Sequence, residues 1–275
     1  MKKIAAILFL SVITLLITGK SASAANNVDI KDNGDGTVTV NYINTAEKTI
    51  AVQVQQTGSN VKYNYFCMDK KVDVDIPLTQ GNGEYTIMVL KQTSGSKYAR
   101  LDSRIIDLNL KDEKSAFLTS CQIIDWDSKN AAIKEASKLT KSSKDDYDKI
   151  KKIYKYIVEN YSYDYDKLKE LKNISNYIPD INDVYKSKKG ICYDIASLNA
   201  SMLRSIEIET QLVKGYPTNP VLPENTYHAW NKVYNSKTKK WIIVDATTDM
   251  QLYEKVDYKA MEKKKSQYSN ETYVY

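Results

Sequence analysis

A mixed α+β domain carried behind a small all-β domain is the fold class that this 275-residue sequence predicts. Three observations predict it. Apolar residues alternate at period two from Val28 to about Leu110, recur at helical spacing after Leu110, and return to strand-like runs in the last third. Hydrophobic residues make up 42% and charged residues 27%, a globular balance that excludes disorder throughout. At roughly 100–200 residues per domain, the length suits one or two domains.

The first 24 residues stand apart. Met1-Lys2-Lys3 is a basic start, Ile4 to Ile17 is almost unbroken apolar, and Ala22-Ser23-Ala24 is a small-x-small cleavage site. Together these read as a secretory signal peptide over 1–24. The apolar run falls short of the ~18–20 residues that a membrane span needs. No cysteine stands at the cleavage point to take a lipid. The expected mature protein is therefore secreted, extracellular or cell-wall associated, with no transmembrane anchor after signal cleavage. Losing Lys2, Lys3 and Lys20 lowers the formal net charge from +6 to +3, too mild to argue for nucleic acid.

Residues 25–112 read as the all-β domain. Thr37-Val-Thr-Val-Asn-Tyr-Ile, Ile50-Ala-Val-Gln-Val and Val72-Asp-Val-Asp-Ile alternate as half-buried strands do. Turn residues separate them at Asn33–Gly36, Thr57–Asn60, Gln80–Gly83 and Ser94–Ser96. About seven strands in that length suggest an immunoglobulin-like sandwich. Asp32-Asn-Gly-Asp-Gly36 is better read as a hairpin turn than as a calcium loop. The EF-hand register would put Lys31 first and Tyr42 last, neither of them a ligand.

A linker over 113–128 leads to a second domain at 129–275. Helices are expected at 129–140 and 145–159; in the latter, Ile150, Ile153, Tyr154 and Ile157 line one face and Asp145 and Asp146 suit the positive N-terminal end. The mixed charges between Lys129 and Lys172 read as solvated helix faces. Gly190 precedes a further helix. Three strand-like runs follow, at Gln211–Tyr216, Thr226–Tyr234 and Lys240–Ala246.

Cys67, Cys121 and Cys192 are the only cysteines. Cys67 and Cys121 could pair, but three cysteines do not make a disulfide scaffold. Cys192 falls in the first turn of a helix, where unpaired N–H groups and the helix dipole favour a thiolate. Gly190, lacking a Cβ, leaves the approach to the sulfur open. His228 is the chain's only histidine, and Asp245 ends an apolar strand where a carboxylate needs a partner. If Thr226–Tyr234 and Lys240–Ala246 form a hairpin around Asn235–Thr238, paired residue numbers sum to 473 and His228 faces Asp245. Cross-strand partners lie about 4.5–5.5 Å apart at Cβ, close enough for a carboxylate to hold an imidazole. Trp230 shares that face.

Cys192, His228 and Asp245 then form a set of nucleophile, base and orienting carboxylate for attack on an amide carbonyl. The Cys192 N–H is a natural oxyanion donor, and Tyr163 or Tyr165 are candidates for the second. The chemistry calls for no cofactor, and one histidine with scattered cysteines makes a poor metal set.

Gly190–Arg204, Tyr227-His-Ala-Trp230 and Trp241–Thr247, with the upstream Tyr163-Asp-Tyr and Lys188-Lys-Gly, resemble the transglutaminase-like core over roughly 130–250. The resemblance implies a papain-like fold, with Cys192 on a helix packed against a sheet carrying His228 and Asp245. It makes Asp194 and Arg204 structural. Ala246 stands where the family usually has Pro, and the calcium sites of animal transglutaminases have no counterpart in the sequence. The expected activity is acyl transfer through a thioester, with hydrolysis of peptide, protein or cell-wall substrates favoured. The alternatives are a protein transamidase or crosslinker, and a noncatalytic wall-binding or adhesion module.

Overall fold

The computed structural model describes residues 14–15, 28–45, 48–174, 176–219, 222–250 and 261–275. The signal peptide expected over 1–24 lies outside the described residues, except that Thr14 and Leu15 pair in parallel with Lys97 and Tyr98. No described helix is long and apolar enough to cross a membrane. The chain divides into two compact units between Gln122 and Ile123.

The first unit is all-β. Strands β1 (Val28–Asp32), β2 (Thr37–Ile43) and β5 (Lys71–Pro77) form one antiparallel sheet in the order β1-β2-β5. Strands β3 (Ile50–Gln56), β4 (Tyr63–Cys67), β6 (Gly83–Ser94) and β7 (Lys97–Leu108) form another, in the order β7-β6-β3-β4. The alternation read from the sequence appears as burial: Val38, Val40, Val52, Val54, Ile76 and Ile87 are all inside. The acidic turn after β1 is a hairpin turn. Asp32 Oδ1 accepts from the Gly34 N–H at 2.9 Å and Asp35 Oδ1 from the Thr37 N–H at 2.9 Å. Gly36 is required there, with φ at +94° and space for a Cβ only 2.9 Å from Leu110 Cδ1. Cys67 and Cys121 are both free thiols, so the pairing that the spacing allowed does not form.

The second unit packs helices on a four-stranded sheet. Helices α1 (Ala131–Thr140), α2 (Asp146–Asn160), α3 (Tyr165–Glu170), α4 (Ile181–Ser187), α5 (Cys192–Arg204) and α6 (Ala246–Met250) are joined by the short parallel pair β8 (Ser162–Tyr163) and β9 (Lys189–Gly190). The sheet runs β12-β11-β10-β13, from β10 (Thr210–Gly215), β11 (His228–Asn235), β12 (Lys240–Val244) and β13 (Glu271–Val274). In α2 the four apolar positions expected to share a face are buried, and the Asp145 side chain caps the helix by accepting from the Asp148 N–H at 2.9 Å.

Every residue of α5 is buried. A helix buried all round must satisfy its polar side chains internally. Ser197 Oγ donates to Ile123 O at 2.6 Å, Asn199 Nδ2 to Asn231 Oδ1 at 2.9 Å, and Arg204 Nε to Thr210 O at 2.8 Å. These bonds fix the helix that carries Cys192 against the sheet that carries His228. Strand β13, which no sequence pattern announced, pairs with the edge of β10. Gly215 permits the approach, because a Cβ there would stand 2.1 Å from Asn270 O.

Candidate active site

Cys192 is the first residue of α5, behind the extended Ile191. Asp194 turns back to accept from the Ile191 N–H at 2.9 Å, while Lys167 Nζ and the Tyr177 hydroxyl hold its other lone pairs. Gly190 has a different use from the one its sequence position suggested. A Cβ there would meet Asp194 Cβ at 2.7 Å, so the missing side chain makes room for this cap. The sulfur itself is enclosed, with Cys192 only 1% exposed. Gly190→Ala is expected to cost about 1–3 kcal/mol by overpacking. Urea denaturation reads that loss, and a midpoint unchanged from the parent protein would show that the cap yields freely.

The β11–β12 hairpin corrects the expected register. Asn235 pairs with Lys240 and Tyr234 with Trp241, so paired numbers sum to 475, and the ladder ends at Asn231 and Val244. The loop is Ser236–Lys239 because Asn235 Oδ1 accepts from the Lys237 and Thr238 N–H groups at 3.1 and 3.2 Å. Lys239 then takes the left-handed conformation, φ +55°, that closes the turn. The slip is two residues, so every side chain keeps its face. His228 and Asp245 consequently meet past the end of the ladder, at 2.9 Å from Nε2 to Oδ2, although they are not direct cross-strand partners.

Asp245 is held from three sides. Besides His228, its Oδ1 accepts from the Thr248 N–H at 3.1 Å and its Oδ2 from the Tyr268 hydroxyl at 2.8 Å. Burial opposes its charge, yet His228 and these donors keep the carboxyl below the ordinary carboxylate value. An ionised carboxylate only accepts, so the Nε2 proton belongs to the imidazole and Nδ1 is its basic nitrogen. Burial likewise opposes the charged form of His228, but Asp245 and Cys192 override it and raise the imidazole well above its ordinary value. Trp230 stacks on His228 at 6.4 Å between ring centroids and excludes water from one side.

The two tyrosine candidates separate. Gly190 pairs with Tyr163 across β8 and β9, which brings the Tyr163 phenol to Cys192. Burial and the neighbouring Cys192 raise its ionisation above the usual tyrosine range, so it stays a neutral O–H donor. Tyr165 is exposed at 45%. Tyr268 is the residue that sequence reasoning missed. It takes a bond from Asn219 Nδ2 at 2.6 Å and passes its own proton to Asp245, but it arrives from the C-terminal segment with no spacing signal. The described residues hold no cluster of metal-ligating side chains.

A family profile described as the transglutaminase-like superfamily matches residues 134–246, a span containing Cys192, His228 and Asp245. No curated protein sequence matches the chain. Among solved structures, a cysteine-protease candidate from Cytophaga hutchinsonii is 18% identical, covering 80% of this chain and 69% of its own, at TM-score 0.42. A structure described only as a TGase is 23% identical over 42% of this chain and 29% of its own, at TM-score 0.31. A protease candidate from Parabacteroides distasonis is 16% identical over 69% and 37%, at TM-score 0.34. The chain thus spans well under half the length of the latter two. Likenesses at these TM-scores carry nothing about chemistry; residues 134–246 match a transglutaminase-like core.

Proposed function

We propose that this chain is an exported thiol enzyme that hydrolyses amide bonds of peptides, proteins or cell-wall material through a thioester on Cys192. The observation that carries the reading is the buried His228–Asp245 pair, 2.9 Å long, placed where Cys192 acts on its ionisation. The basic start and apolar run of residues 2–17 support export.

In this reading the Cys192 thiol gives its proton to His228 Nδ1 and the sulfur attacks the amide carbon. The oxyanion takes hydrogen bonds from the Cys192 N–H and the Tyr163 hydroxyl. His228 returns the proton to the amide nitrogen, the C–N bond breaks and the amine leaves. Water then loses a proton to His228, attacks the thioester and releases the acid with the thiol restored. Asp245 holds the imidazole in one tautomer throughout and stays ionised.

Peptidoglycan fragments, and separately a Gln-containing peptide with a labelled primary amine, test this with mass-spectrometric readout. The expected products are acid and free amine without label. Label in the product would make the protein a transamidase, and intact substrates would point to a noncatalytic binding module.

A further inference from the structure

Lys214 is a cation beside Cys192 that forms no ion pair with a carboxylate among the described residues. It sits on β10 opposite Ala229, the neighbour of His228, and opposite Tyr273 on β13. Its ammonium lies over the ring of Tyr193, the residue after the nucleophile, at 3.5 Å from the centroid, and 5.1 Å from the Tyr275 centroid. Three carboxylates on the elements around it are engaged by other cations. Asp194 pairs with Lys167, Glu271 with Lys232, and Asp245 with His228. Aromatic faces attract a cation weakly compared with a carboxylate, and they leave all three N–H donors unmade.

A desolvated ammonium with no counter-ion is costly unless something supplies one. Lys214 shows that cost: burial draws it from 10.5 down to about 7, with Cys192 opposing. The residue as a whole is only half-buried. Tyr216 and Tyr227, with rings 5.1 Å apart, extend the aromatic surface beside it.

We infer that Lys214 is the anion-recognising residue of this site, selecting acyl donors that carry a carboxylate next to the amide attacked by Cys192. The inference rests on Cys192 being the nucleophile. The incoming carboxylate supplies the missing counter-ion, gains a charge-assisted hydrogen bond and orients the neighbouring carbonyl toward the sulfur. Tyr193 and Tyr275 hold the empty ammonium in place between turnovers.

Two alkylating agents of similar size test this, iodoacetate for the anion and iodoacetamide for the neutral amide. Cys192 labelling is followed by peptide mapping at about pH 6, where the ammonium is charged. The ratio of the two rates cancels the thiolate fraction common to both. Lys214→Met should lower the iodoacetate-to-iodoacetamide ratio about tenfold, and Lys214→Arg should restore most of it. In the unaltered protein, acetate should slow iodoacetamide labelling of Cys192 more than acetamide does, a measurement that needs no variant to fold. A ratio untouched by Lys214→Met, or equal protection by acetate and acetamide, overturns the assignment. If iodoacetamide leaves Cys192 unlabelled while Cys67 or Cys121 reacts, the thiol-enzyme reading fails first and takes this inference with it.

Discussion

Cys192→Ala is expected to abolish amide turnover while leaving the fold intact, and in the unaltered protein Cys192 should alkylate far faster than Cys67 or Cys121. Exposure cannot produce that order. Cys67, Cys121 and Cys192 are 8%, 4% and 1% exposed, so the thiol expected to react first is the most enclosed. Cys67 is pushed up to about 11 by burial, with a nearby Gln122 side chain opposing, and holds little thiolate at neutral pH. Cys192 alone has an imidazole beside it that folding makes a better proton acceptor. In the proposed reaction the removed sulfur forms the covalent intermediate, so the loss of turnover should reach the background rate. The alanine is smaller than the thiol and sits at the end of a helix fixed by Ser197, Asn199 and Arg204, so a melting midpoint near the parent's is expected. Residual turnover in a well-folded Cys192→Ala protein would place the nucleophile elsewhere.

The candidate site was legible in the sequence to the extent that its geometry is local. The first turn of α5 follows from the apolar pattern after Gly190, and the face shared by His228 and Asp245 follows from strand parity. The loop that sets the register was less legible. Asn235 could be counted as a loop residue or as the last ladder residue, and its side-chain bonds to Lys237 and Thr238 decide for the latter. Parity survived that two-residue slip, so the contact formed although the pairing was different. What stayed hidden depends on long-range packing. Tyr268 reaches Asp245 from 23 residues away, and β13 joins the sheet only because Gly215 lets the backbone close in. One tyrosine among 22 carries no mark of such a contact in a linear pattern. The cap explains Gly190 in the same way, since Asp194 needs the space that the sequence had assigned to substrate.

Asp245→Asn should lower turnover by about 10²–10⁴-fold with the fold retained, because an amide can hold the imidazole in the wrong tautomer. Its pH signature separates this from a packing defect. The carboxylate is a cause of the raised His228 ionisation, so its loss weakens the imidazolium. The pH profile of Cys192 alkylation should shift as the ionisation of His228 beside it falls. Stability changes in a defined direction as well. Folding raises His228, so its protonated form stabilises the protein fully below the ordinary 6.5, and that contribution is lost as pH climbs through the raised value. Folding lowers Asp245, so its contribution is present above the ordinary 3.8 and lost as pH falls through the lowered value. Denaturation midpoints measured across that range should therefore show a shallower pH dependence in Asp245→Asn. Tyr268→Phe, which removes one donor and keeps the carboxylate, should move the profile in the same sense by less. The control is Asp183→Asn on the exposed side of α4. Asp249 is unsuitable, being buried and bound to Lys263 at 2.5 Å and Tyr154 at 2.6 Å. If Asp245→Asn left the alkylation profile and turnover as they are in the parent, His228 would be oriented by another group and the pair would be structural.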